Sequence, residues 1–141
     1  MIALLIAWLG LHAVLPVGLA AAQSDEEAAP ARQVTVRLLD YRFEPSEIVL
    51  KAGEPVELTL INDGTVLHEF VTLAMHDLEV EIRTGGVISE TLGLLELELE
   101  PKSRVQIRFT PEKSGSLPFT CQAKKPTDHF KAGMAGTLTI R

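Results

Sequence analysis

Arg104-Val105-Gln106-Ile107-Arg108-Phe109 sets a charged or polar side chain against a branched or aromatic one at every second position. A period of two belongs to an extended chain, so Val105, Ile107 and Phe109 face a core while Arg104, Gln106 and Arg108 face water. Outward from this stretch, short apolar-rich runs recur on both sides. Upstream lie Val34–Leu38, Glu47–Leu50, Val56–Ile61, Leu67–Leu73, Leu78–Ile82 and Leu95–Leu99; downstream lie Leu117–Cys121 and Gly136–Ile140. Turn formers separate several of them: Glu44-Pro45-Ser46, Lys51-Ala52-Gly53-Glu54-Pro55 and Asn62-Asp63-Gly64-Thr65. Arg83–Gly93 and Lys124–Lys131 lack strand character, and the first is expected to form a loop or a short helical turn. Seven to nine short strands without an amphipathic helix predict an all-β, antiparallel Greek-key β-sandwich spanning residues 33–141.

The residues ahead of that domain read differently. Residues 1–22 carry no charged side chain, and Ala20-Ala21-Ala22 is followed abruptly by Gln23-Ser24-Asp25-Glu26-Glu27. The small-x-small pattern predicts an export segment cleaved after Ala22, which places the protein in the periplasm or otherwise outside the cytoplasm. No Lys or Arg opens the segment, and it is long enough for a bilayer span of about 30 Å, so membrane attachment follows only if it is retained. Residues 23–32 are acidic, Ala-rich and aperiodic, the composition of a disordered lead-in. The formal net charge of −6 argues against nucleic acid as a partner.

Cysteine use narrows the chemistry. An exported chain usually carries cysteines in pairs or not at all, yet there is one here, Cys121. Such a thiol is free, bridged to another chain, or held by a metal. Its surroundings run Gly115-Ser116-Leu117-Pro118-Phe119-Thr120-Cys121, then His129, then Gly133-Met134-Ala135-Gly136. Thiolate, imidazole and thioether thus fall within fourteen residues, between two predicted strands. Those are the donors of a His₂Cys copper site with a long axial Met, provided a second imidazole arrives from elsewhere. His68, after the Asn62-Asp63-Gly64 turn and at the start of a strand, can supply it.

On these motifs the chain resembles the cupredoxins, the small blue-copper proteins. The features that carry the resemblance are Tyr41-Arg42-Phe43-Glu44-Pro45, Asn62-x-Gly64 leading to His68-Glu69-Phe70, Gly115-x-x-x-Phe119-x-Cys121, and Gly133-Met134-x-Gly136. The resemblance implies one Cu(I)/Cu(II) ion, with His68, Cys121 and His129 as strong ligands and Met134 as the weak axial one. It departs from the family in one respect: seven residues separate Cys121 from His129, more than is usual.

Each of these residues also has an ordinary reading. A free Cys is commonly a small buried hydrophobe, a Met fills gaps in cores, and a His is often a satisfied polar group. Met75 and His76 are read as ordinary, with His76 a solvated residue in a turn, and the Glu residues of Leu95–Glu100 as the wet face of a strand. A cage of four protein donors leaves no open position for substrate, so the expected role is one-electron transfer between redox partner proteins, by a monomer that is not an enzyme. His129 is the expected exit route if its ring edge reaches the surface, and Lys124-Lys125 offers a small basic docking spot. The alternative is copper handling with the same ligands.

Overall fold

A computed structural model describes residues 30–141; the expected export segment and the lead-in up to Ala29 lie outside the described residues. Nine strands follow one another: β1 (Arg32–Leu39), β2 (Arg42–Glu44), β3 (Glu47–Leu50), β4 (Val56–Asn62), β5 (His68–Thr84), β6 (Val87–Leu99), β7 (Arg104–Phe109), β8 (Gly115–Thr120) and β9 (Ala135–Ile140). Among the described residues there is no helix. The strands hydrogen-bond in the order β2-β1-β4-β7-β5-β8-β9-β3, and β6 pairs with β5 alone.

The alternation in β7 fixes its register. Val105, Ile107 and Phe109 lie opposite Leu60, Leu58 and Val56 of β4, so buried side chain meets buried side chain at every second position. A shift of one residue would turn each of these side chains into water. The expected antiparallel pattern holds for most pairings, but β1 with β4 and β3 with β9 are parallel. The reason lies in the path of the chain: after β1 it crosses through the short β2 to the far flank, where β3 completes the sheet against β9.

The stretch Arg83–Gly93, expected as a loop or helical turn, is instead a hairpin. β5 runs without a break through the two predicted runs Leu67–Leu73 and Leu78–Ile82, and β6 begins at Val87. Gly85 and Gly86 join them with φ of 54° and 84°, the positive values that a two-residue type I′ turn needs at both positions. The alternation is missing because nearly every residue of Val87–Leu92 is exposed on both faces, so no core selects one face as apolar. β5 also bridges the sheet. Val71 and Thr72 pair with β8, and beyond two register shifts Glu81–Arg83 pair with β7.

Phe43, Phe70 and Phe119 form the aromatic centre of the core. Phe70 and Phe119 stack at 5.2 Å, and Phe43 meets Phe119 and Phe70 edge-on at 5.0 and 6.0 Å. Gly136 lies opposite Phe119 in the β8–β9 ladder, and a Cβ there would run into the Phe119 ring. Phe70 lies two residues after His68 and Phe119 two before Cys121, so the same pleat that buries the rings turns both polar side chains inward above them.

Candidate metal centre

Five segments converge at one end of the sheet. His68 opens β5, Cys121 follows β8, Met134 precedes β9, and Asp40 and Tyr41 leave β1; His129 lies on the connection between β8 and β9. His68, Cys121, His129 and Met134 are all fully buried. The structure brings His68, Cys121 and His129 together, and main-chain hydrogen bonds set Met134 beside them, from positions up to 66 apart in sequence.

Ligand atoms of His68, Cys121 and His129 lie within 4.8 Å of one another. The two Nδ1 atoms are 3.2 Å apart, and Cys121 Sγ is 3.2 Å from His129 Nδ1 and 3.9 Å from His68 Nδ1. The outer ring nitrogens are already engaged: His68 Nε2 faces Asp40 Oδ1 at 3.4 Å, and His129 Nε2 faces the Lys125 carbonyl at 3.1 Å. Both partners are acceptors, which assigns the ring proton to Nε2 in each case and leaves both Nδ1 atoms as bare lone pairs. Two lone pairs and a sulfur turned toward one another in a dry pocket are a donor set that a soft or borderline cation satisfies, so the residues present fit copper.

Each donor is positioned by hydrogen bonds from its own segment. The Glu69 amide donates to Cys121 Sγ at 3.2 Å, the Cys121 amide to the Met134 carbonyl at 3.1 Å, and the Met134 amide to the His129 carbonyl at 3.0 Å. The long Cys121–His129 spacing is absorbed by a fold-back in which the His129 amide donates to the Ala123 carbonyl at 3.0 Å. Asp128 then caps the next turn, accepting from the Lys131 amide, which is the main reason its carboxyl lies below the usual range. Asn62 clamps the other side: its Nδ2 donates to the carbonyls of Val66 and Leu99, and its Oδ1 accepts from the Gly64 amide. Tyr41, in the left-handed region at φ 65°, lays its ring against the edge of His129 at 5.1 Å.

Burial governs the titration of these donors. It holds the His68 imidazole below its ordinary value and pushes the Cys121 thiol up. A metal offsets the second effect, because thiolate is the ligand form.

Two expectations change, those for His129 and His76. His129 does not show its ring edge at the surface: it is 0% exposed, because the Lys125 carbonyl of the long loop covers it. Lys124 and Lys125 are both exposed, Lys124 pairing with Asp128 at 3.2 Å. His76 is exposed, as expected, yet it lies within β5 and not in a turn. Glu69, Glu96 and Glu98 form a second group of facing carboxylates, and Glu96 and Glu98 lie on the wet face read from the sequence. Sequence reading missed Asp40 and Lys125. One lies 28 residues from the histidine it meets and the other acts through its main chain, so neither leaves a local motif.

Fold and donor set together define a small all-β protein with a buried thiol–imidazole cluster. The chain belongs to the cupredoxin-like domain family, which it matches over residues 2–140. Two relatives are each named copper-resistant cuproprotein CopI. The one from Rubrivivax gelatinosus is 30% identical, over 82% of this chain and 70% of its own length. The one from Pseudomonas aeruginosa is 28% identical, over 82% of this chain and 80% of its own. Among solved structures, auracyanin B is similar with a TM-score of 0.57 at 20% identity, covering 79% of this chain and 90% of auracyanin B. A multicopper oxidase from Campylobacter jejuni gives a TM-score of 0.56 at 16% identity, covering 92% of this chain and 34% of the oxidase. At these identities the structural likeness speaks for the fold.

Proposed function

We propose that this protein binds one copper ion through His68 Nδ1, Cys121 Sγ and His129 Nδ1, with Met134 as a weak axial ligand, and that it serves copper tolerance outside the cytoplasm. The observation that carries the copper reading is the convergence of the two Nδ1 atoms on one buried sulfur. The names of the relatives from Rubrivivax gelatinosus and Pseudomonas aeruginosa support the tolerance role. So does the cover over His129, which removes the imidazole edge that a docking electron-transfer partner would use.

Copper supplies a one-electron couple in such a cage, since soft and borderline donors suit both oxidation states. The chain's own residues orient the rings, exclude water and fill the coordination positions, and this favours holding or passing the ion over reactions on a bound substrate. One-electron transfer between redox proteins is the second reading, and the prearranged cage favours it. The charge-free opening segment supports export, and the protein is expected to act as a monomer.

The test has two arms. Copper-loaded protein should show an intense thiolate-to-copper absorption that Cys121→Ser abolishes; a colourless protein with weak copper binding would sink the ligand assignment. A host lacking the protein should grow poorly at raised copper, and Cys121→Ser should not restore growth. Normal growth at raised copper together with failure of a respiratory or other redox chain would give the function to electron transfer.

A further inference from the structure

The two imidazoles of the centre are not held alike. His129 Nε2 meets a neutral acceptor, the Lys125 carbonyl, whereas His68 Nε2 meets a carboxylate oxygen of Asp40 at 3.4 Å. Asp40 is itself fixed. Its Oδ1 accepts from the Thr65 amide at 2.8 Å and its Oδ2 from the Thr65 hydroxyl at 2.9 Å. The loop carrying Thr65 is tied back to β1, with the amides of Asp63 and Gly64 both donating to the Leu38 carbonyl.

Gly64 makes the meeting sterically feasible. A Cβ at that position would lie 2.5 Å from Asp40 Oδ1 and 2.7 Å from His68 Nε2, crowding both groups. Gly64 lacks a positive φ, so it is the approach of carboxylate to imidazole, and not the backbone conformation, that calls for glycine here. A carboxylate fixed by two hydrogen bonds, with a glycine leaving open its line to a buried imidazole, is arranged to act on that imidazole.

We propose that Asp40 is a positioning residue that holds His68 in the Nε2-protonated form and, through its negative charge, makes Nδ1 a stronger donor, so that it stabilises Cu(II) more than Cu(I) in the centre. The inference rests on His68 being a ligand. A carboxylate behind a metal-bound histidine fixes the ring and raises its basicity, and loss of such a partner typically costs ten- to a hundredfold in metal affinity. An anionic partner stabilises the more highly charged ion more, so the cost falls mainly on Cu(II).

The experiment compares copper-loaded wild type with Asp40→Asn and Asp40→Ala at pH 7, measuring Cu(II) affinity, Cu(I) affinity and reduction potential. Asp40→Asn keeps an oxygen for Thr65 but removes the charge. It should lower Cu(II) affinity by about tenfold or more, change Cu(I) affinity less, and raise the potential; Asp40→Ala should shift all three further in the same sense. An equal loss for both oxidation states with an unchanged potential would mean that Asp40 merely braces the loop, and would overturn the proposal. So would an Asp40→Asn protein indistinguishable from wild type. Failure of wild type to bind copper, or copper binding untouched by His68→Ala, would instead bring down the ligand assignment beneath it.

Discussion

Where His68, Cys121 and His129 meet, every donor is buried and each is tied to a neighbouring segment, while the far part of the β5–β6 hairpin leaves Val87, Ile88 and Leu92 exposed at 62%, 61% and 77%. The hairpin is regular β-strand, whereas the metal centre is built from strand ends and the connection between β8 and β9. What separates them is the number of segments that close on each: five at the metal centre, against one partner strand and a short contact with β7 for the hairpin. Stability in a fold of this kind is local, so the two regions should answer differently to the same kind of change.

The sharpest contrast comes from deleting one large apolar side chain in each. Phe119→Ala empties the space between Phe43, Phe70 and Gly136 and should cost about 3–5 kcal/mol, read as a lower urea midpoint at unchanged slope. Leu92→Ala should stay within about 0.5 kcal/mol of wild type. Equal costs would break the comparison and mean that something covers the hairpin.

Asn62→Ala probes the polar side of the same contrast. It leaves the carbonyls of Val66 and Leu99 and the amide of Gly64 without their partner, at about 1–3 kcal/mol for the buried groups. Amide exchange at Gly64 should quicken while exchange in the β5–β6 turn stays as it was, which would sharpen the difference between the regions.

The smallest effect concerns pH in the metal-free protein. His68 is held below its ordinary value of 6.5, so as pH falls from there the unfolded chain takes up the proton first and stability drops. Cys121 is held above 9.0, so as pH rises past that value the unfolded chain loses its proton first and stability drops again. Between these limits neither group contributes a slope. Urea midpoints measured at pH 5.5, 7.5 and 9.5 should be highest at the middle value, and His68→Gln should flatten the acid side alone.

What could be read from the sequence follows the same division. The donors were legible because thiolate, imidazole and thioether are rare types that serve few other purposes in such close order. The strands β3 and β7 were legible because each has one dry face, which writes a period of two into the chain. Val87–Leu92 has no dry face and therefore wrote no pattern, although the glycine pair before it does carry the I′ signal. The parallel pairings of β1 and β3 were not legible either, since which strand lies beside which depends on contacts remote in sequence.

β3 has β9 as its neighbour in the sheet, and Cys121, His129 and Met134 all lie just ahead of that same strand. A chain emerging from a ribosome in its natural order thus presents His68 and its supporting loop ahead of Cys121, His129 and Met134. Pairings this distant in sequence also close slowly. The full donor set is therefore complete only once the segment that seals the last edge of the sheet has been made.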